Sequence, residues 1–311
     1  MDSLAVILDA PGRLSIRALE LVSGGADDVT VEIRWSGIST GTEKLLWTGE
    51  MPPFPGMGYP LVPGYESVGR IVDAGANARG RIGEWVFVPG ANCYRDARGL
   101  FGGTAERLVV ASARAIAIPE ALGSDGVLLA LAATAHHALV AGPLPELVVG
   151  HGVLGRLIAR LAIALGGEAP IVWETRAARR TGAAGYRVAA PKDDDRRDYR
   201  AICDVSGDPD ALDGLIERLA PGGEIALAGF YARPLHFAFP AAFRKEARLR
   251  VAAEFKPADL AAVAALVEAG TLDLGGLVSD VSPAWDAGHA YPAAFDSPDC
   301  LKMVLDWSDA A

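Results

Sequence analysis

The sequence predicts an α/β protein in two parts: a strand-rich, barrel-like part and a doubly wound parallel sheet. Three observations predict it. Up to residue 122 the chain is a run of short strands cut by Gly and Pro. From Asp125 it changes to long apolar helices alternating with buried strands. Within that second part, Glu146 to Glu174 (ELVVGHGVLGRLIARLAIALGGEAPIVWE) reads as strand, glycine turn, helix, strand and acid. A length of 311 residues suits two domains. The expected division is 1–122, then 123–255, with 256–311 returning to the first domain.

Composition narrows the function. The chain is 51% hydrophobic and 22% charged, which is ordinary for a globular protein. A net charge of −10 argues against nucleic acid as a partner. No apolar run reaches the ~18 residues of a membrane span. The N-terminus lacks a basic region followed by an apolar block, so a cytoplasmic location is expected. Cys93, Cys203 and Cys300 are far apart, form no C-x-x-C and supply no metal framework.

The second part carries the clearest chemistry. Leu147–Val149 is a short apolar strand, and Gly150, Gly152 and Gly155 form G-x-G-x-x-G after it. The first Gly permits the turn, the second lets backbone approach a pyrophosphate, and the third lets helix and strand pack closely. Val153 and Leu154 open a helix running to Leu165, whose N-terminal amides face the phosphates. Ile171–Trp173 is the next strand and ends on Glu174, placed to accept from the adenosine ribose hydroxyls. That acid favours NAD; Arg176, Arg179 and Arg180 just beyond it pull toward NADP. Ala201–Val205 ends at Ser206-Gly207, Asp208–Leu219 reads as a helix, and Glu224–Gly229 and Leu249–Ala253 read as strands. The ligand should lie at the strand C-termini, beside Gly150, Glu174, Ser206 and Gly229. Lys192–Asp198 reads as a solvated charged loop, and Lys256–Ala269 as an amphipathic helix.

In the first part, Leu4–Leu8, Val29–Ser36, Arg81–Val88 and Arg107–Val110 read as strands. The tract from Trp47 to Pro63 holds Pro52, Pro53, Pro55, Pro60 and Pro63, which forbid a regular helix or central strand. Trp47, Met51, Phe54, Met57 and Tyr59 make it a stiff apolar loop. It either caps its own domain or forms a wall of an apolar substrate pocket. His136 and His137 are adjacent on a helix, so their side chains leave it about 100° apart and only one should face a ligand.

The strand-rich first half, Gly64-Tyr65-Glu66-Ser67-Val68-Gly69 and the central glycine turn together resemble the medium-chain dehydrogenase/reductase superfamily. The resemblance covers essentially the whole chain. It implies a GroES-like β-rich catalytic domain and a Rossmann domain with NAD. Zinc members of that superfamily carry a Cys where this chain has Ser39, and a His where it has Tyr65. Their third ligand position falls near Ala130, and of their four-Cys lobe only Cys93 remains. Hydroxyl and phenol are poor zinc ligands, so a zinc-free member is expected, with no metal. The long tract Ser36 to Val72 is similar to the branch acting in bacteriochlorophyll synthesis. That branch implies NAD-dependent oxidation of a 3-(1-hydroxyethyl) group to 3-acetyl on a magnesium tetrapyrrole.

Without a metal, the alkoxide needs hydrogen-bond donors and its proton needs an acceptor. The candidates are Ser39, Thr42, Lys44, Tyr65 and Glu66. By the resemblance, Thr42 aligns with the alcohol-side hydroxyl and Glu43 with the acid that follows it. Tyr65 with Lys44 beside it would make a general base, the cation lowering the phenol pKa. One of His136 and His137 could meet the pigment's magnesium or a propionate. A homo-oligomer and transient contact with membrane-associated pigment-synthesis enzymes are the expected partners. The alternatives are a zinc-free NADPH quinone or enone reductase of the same fold, and a non-catalytic tetrapyrrole carrier.

Overall fold

Alternation in Val29 to Ser36 becomes the strand Asp28–Gly37, with Val29, Val31 and Ile33 buried on one face. A computed structural model describes residues 1–53, 55–231 and 233–308 of the chain. Its two compact units are Met1–Ala130 with Gly275–Ala311, and Leu131–Leu274. Both divisions fall later than the sequence suggested. The 3-10 segment Glu120–Leu128 packs on the strands of the first unit, and the helix Pro257–Glu268 belongs to the second.

Among the described residues, the first unit has a seven-stranded and a four-stranded sheet. Asp28–Gly37 is central to the larger one. It pairs antiparallel with Ser67–Ala74 on one side and, near its C-terminal end, with the returning strand Met303–Asp306 on the other. Ser36 lies opposite Ser67, and Gly37 opposite Val304. This register brings the residues just before both neighbouring strands, Glu66 and Lys302, to the same end of Asp28–Gly37. The smaller sheet orders Arg13–Glu20, Asp2–Ala10, Leu61–Val62 and Arg98–Gly99. The proline tract supplies Leu61–Val62 to it. Met51 is buried with Leu8, Leu46, Leu61 and Leu100, and Trp47, Met57 and Tyr59 pack against that cluster.

Among the described residues, the second unit has a six-stranded, all-parallel sheet. Its order is Arg187–Ala189, Ile171–Trp173, Leu147–Val149, Tyr199–Asp204, Leu219–Leu227, Arg248–Val251. In sequence rank that is 3-2-1-4-5-6, the dinucleotide-binding order, with the switch point beside Leu147–Val149. The first crossover is the helix Val153–Ala164, whose buried stripe includes Leu157, Ile158 and Leu161. The connection from 174 to 186 contains only a 3-10 turn, Ala177–Arg180. Arg156 ties that connection down. Its guanidinium donates to His151 O at 3.2 Å, Gly182 O at 2.9 Å and Thr181 O at 2.9 Å.

Two local readings need correction. The helix placed at Asp208–Leu219 is only Leu212–Arg218. Ser206 and Asp208 side chains bond the amides of Asp208 and Asp210 and hold the preceding residues in turns. Lys192–Asp198 is not wholly solvated. Asp194 is buried, taking Trp173 Nε1–H at 2.7 Å and the Tyr199 hydroxyl at 2.6 Å. Arg196 reaches Glu146 at 2.6 Å.

Candidate active site

Five polar residues gather inside the first unit: Ser39, Glu43, Glu66, Tyr291 and Lys302. All are buried, and Tyr65 stands half-buried beside them. Ser39 Oγ and Tyr65 OH share a hydrogen bond of 2.7 Å, and Ser39 Oγ accepts Thr42 N–H at 3.3 Å. The Thr42 hydroxyl also bears on the Tyr65 phenol. The structure thus brings together Ser39, Thr42, Tyr65 and Glu66. Tyr65 itself is braced edge-on against the Phe101 ring, 5.3 Å between centroids.

Lys44 does not join them. Its Nζ donates to Phe295 O at 2.9 Å and lies 3.6 Å from Asp296. The Tyr65–Lys44 general base is therefore corrected. Helix Thr42–Thr48 carries the Lys44 stem to the end of helix Ala287–Asp296. The phenol also shifts opposite to expectation. Burial, and then the adjacent Glu66 carboxylate, push it far above the usual tyrosine range. At neutral pH Tyr65 is a donor, not a base.

The cation of the site is Lys302, which the sequence reading did not pick out. Its Nζ forms a buried ion pair with Glu66 Oε2 and donates to Ile38 O at 3.0 Å. Room for the pair exists because residue 37 is Gly. A Cβ there would lie 2.3 Å from Glu66 Oε2 and 2.9 Å from Lys302 Cε. Burial pushes the Glu66 carboxyl up and the ammonium pulls it back. Glu43 is held differently: Oε1 accepts Ser39 N–H at 3.1 Å and Oε2 accepts the Tyr291 hydroxyl at 2.7 Å. One signal for Lys302 was present, a lone Lys inside the apolar run Leu301 to Leu305. Nothing local marked Tyr291.

The proposed pocket wall divides. Met51 is interior to its cluster and is corrected from wall to core. The Tyr59 hydroxyl donates to Leu46 O, and the Trp47 ring packs 6.3 Å from Tyr291 and 6.4 Å from Phe295. Trp47, Met57 and Tyr59 are half-buried; Phe54 lies outside the described residues.

In the second unit the glycine turn has the geometry its sequence implies. Gly150 has φ +105, in the region that favours glycine. A Cβ on Gly155 would lie 1.9 Å from Gly150 O, so helix and strand touch only because it is Gly. A Cβ on Gly152 would meet nothing within 4 Å, which is the open cradle a pyrophosphate needs. Val153 and Leu154 open the helix there. Glu174 is buried at the end of Ile171–Trp173 and accepts Arg176 N–H at 2.8 Å and His151 N–H at 3.3 Å. Arg180 donates to the carbonyls of Glu174 at 2.8 Å and Thr175 at 2.7 Å. Ser206 N–H donates to Asp204 Oδ1 at 2.9 Å, and Gly229 N–H to Asp204 O at 3.1 Å. Gly150, Glu174, Ser206 and Gly229 therefore follow the C-terminal ends of four adjacent strands. These residues fit a dinucleotide.

His151, inside the glycine turn, was not singled out. It is buried, with Nδ1–H donating to Arg179 O at 2.6 Å and Nε2 accepting from the Tyr186 hydroxyl at 2.9 Å. Burial lowers its pKa, so it is neutral. His136 and His137 also depart from expectation. Both bond one carboxylate through Nδ1, His136 to Asp259 Oδ1 at 2.8 Å and His137 to Oδ2 at 2.9 Å. Two carboxylate oxygens bridge the angle between adjacent side chains. Nδ1 of each ring carries the proton that it donates to Asp259.

Comparison with known proteins agrees with this geometry. Residues 25–120 match the alcohol dehydrogenase GroES-like domain. The whole chain is 56% identical to all of a 2-desacetyl-2-hydroxyethyl bacteriochlorophyllide A dehydrogenase of Rhodobacter capsulatus. It is likewise 56% identical, over 100% of both chains, to the protein of that name from Cereibacter sphaeroides. In fold it is similar to an Escherichia coli alcohol dehydrogenase complexed with NADH. That likeness has a TM-score of 0.84 at 20% identity, over 98% of this chain and 99% of the other. The chain therefore belongs to the bacteriochlorophyllide dehydrogenase family, within the medium-chain dehydrogenases that join a GroES-like domain to a Rossmann domain.

Proposed function

We propose that the protein oxidises the 3-(1-hydroxyethyl) group of a bacteriochlorophyllide to 3-acetyl, with NAD and without zinc. The observation that carries the activity is full-length identity of 56% to relatives named for it. The site suits the chemistry. Bound NAD supplies the hydride acceptor for the carbinol carbon. Ser39 and Tyr65 share one hydrogen bond, so one of their two protons remains for the carbinol oxygen. As the hydride leaves, the carbinol proton passes to one hydroxyl while the pair releases another, through the half-buried Tyr65, to solvent water.

Zinc fits poorly here. Two of the three positions offer hydroxyls bonded to each other, the third falls near Ala130, and one oxygen of the Glu66 carboxylate is held by the Lys302 ammonium. NAD is favoured over NADP by the Glu174 carboxylate at the ribose position, and by Arg180, which is held on backbone carbonyls. Within the first unit, the half-buried Trp47, Met57 and Tyr59 are the residues offered for pigment contact.

A homo-oligomer is part of the same reading. Among the described residues, strand Arg248–Val251 is an open sheet edge; its Val251, and Phe239 and Phe243 beside its Leu249, are exposed by 78%, 66% and 69%. The buried residues Cys93, Cys203 and Cys300 suit a reducing cytoplasm. Among the described residues no helix is long and apolar enough to cross a membrane.

The test is incubation with 3-(1-hydroxyethyl) bacteriochlorophyllide a and either NAD⁺ or NADP⁺. A red shift from the conjugated acetyl group, faster with NAD⁺, is expected. Turnover of a conjugated enone with NADPH but none of the pigment would favour the reductase. Cofactor and pigment binding without turnover would favour the carrier.

A further inference from the structure

Glu43 lies in the first turn of a seven-residue helix, Thr42–Thr48, yet is 1% exposed. Removing a carboxylate from water is costly unless its oxygens are satisfied. Each oxygen has one strong donor: Ser39 N–H at 3.1 Å on Oε1, and the Tyr291 hydroxyl at 2.7 Å on Oε2. Tyr291 is itself fully buried on helix Ala287–Asp296, so its hydroxyl is fixed by the core around it. The charged and titratable groups facing Glu43 are Glu66, Lys302, Tyr65 and Tyr291. Lys302 is bonded to Glu66 and Ile38 O, so among the described residues Glu43 has no hydrogen-bonded cation of its own.

Ser39 is then held at three points. Glu43 takes its N–H, Thr42 N–H donates to its Oγ at 3.3 Å, and Tyr65 bonds the same Oγ at 2.7 Å. Fixing both backbone and hydroxyl confines the side chain to one rotamer well. A misplacement of about 1 Å at a reacting group can cost about 100-fold in rate.

We propose that Glu43, clamped by Tyr291, is a positioning residue for the reaction: it holds the Ser39 backbone so that the Ser39–Tyr65 hydroxyl pair meets the carbinol oxygen. This rests on the reading of that pair as the alcohol-binding group. The positioning is strongest when Glu43 is ionised, because a carboxylate accepts the Ser39 and Tyr291 bonds more strongly than a carboxylic acid does. Burial pushes the Glu43 carboxyl up to about 7, against the Tyr291 and Ser39 bonds, which lower it. The competent form therefore appears as pH rises through neutrality.

Steady-state rates across about pH 5.5 to about pH 9 test this in wild type, Glu43→Gln and Tyr291→Phe. Each variant is checked for native circular dichroism and a cooperative melt. In wild type, kcat should rise through a limb near 7, the value to which Glu43 is pushed. Tyr291→Phe removes a bond that favours the ionised form, so the limb should move to higher pH. Glu43→Gln should abolish the limb and lower kcat about 10-fold or more, with KM changed less than about threefold. A folded Glu43→Gln that keeps the limb and the wild-type kcat overturns the positioning role. A Tyr291→Phe limb that stays in place does the same. A wild-type protein that binds pigment and NAD without turnover strikes instead at the activity itself.

Discussion

Lys302 and Glu66, 236 residues apart, form a buried ion pair at the end of the central strand of the first unit. Both side chains are essentially inaccessible, at 2% and 0%. The pair exists because Ser67–Ala74 and Met303–Asp306 flank the same strand in a register that brings both their N-terminal ends to its C-terminal end.

Breaking such a pair from one side leaves an unpaired buried charge. Lys302→Met is expected to cost about 3–5 kcal/mol of stability. The double variant Glu66→Gln with Lys302→Met should recover most of that, since no lone charge remains. Gly37→Ala should resemble the single variant, because its Cβ would lie 2.3 Å from Glu66 Oε2. Denaturant melts of the four proteins decide it. A double variant no more stable than Lys302→Met would show that the pair is not what matters.

Glu43 predicts a pH effect on stability as well as on rate. Its carboxyl rises from an ordinary value of 4.5 to about 7 in the fold, chiefly through burial. The native state therefore keeps a proton that the unfolded chain releases between those values. That contribution is fully present below the unfolded value and is lost as pH rises through the folded one. The loss is on the order of 3 kcal/mol. Glu43→Gln has no such term, so its stability relative to wild type should improve from about pH 4.5 to about pH 8. Urea melts at both pH values would refute this if the difference stayed constant.

The two glycines of the turn should separate folding from cofactor binding. In Gly155→Ala the added carbon meets a backbone oxygen that cannot rotate away. A stability loss of about 1–3 kcal/mol and weaker NADH binding are expected. In Gly152→Ala the added carbon meets nothing within 4 Å. That variant should melt like wild type and lose NADH affinity only. Fluorescence titration with NADH beside thermal melts checks both, and wild-type affinity in Gly152→Ala would place the pyrophosphate elsewhere.

Asp259 accepts from His136, His137 and its own helix start at Lys256 N–H, 2.9 Å away. Burial would raise its carboxyl, but these bonds hold it below the usual range. Its contribution is present above the unfolded carboxylate value and lost as pH falls through the folded one. Asp259→Asn offers one acceptor oxygen where three donors converge, and should cost about 2 kcal/mol at neutral pH. The difference from wild type should shrink in acid. Melts showing no loss at neutral pH would mean that the imidazoles have other acceptors.

What the sequence determined by itself was local or repetitive. Leu147–Val149, the glycine turn, helix Val153–Ala164 and Ile171–Trp173 were legible because strand burial, the glycine requirement and helix packing each act over a few residues. Ser39 and Tyr65 were legible as replacements, and Glu66 as the retained acid, within the pattern that the chain resembles. What only the tertiary structure decided was which distant group each of them meets. Lys44 is near Ser39 and Tyr65 in sequence, yet a helix directs it to Phe295 and Asp296. Lys302, Tyr291 and Asp259 lie far along the chain, and strand register and helix packing deliver them to Glu66, Glu43 and the two histidines. Local propensity carries no information about register between segments hundreds of residues apart, so the buried charges of this site could be seen only once the fold had paired them.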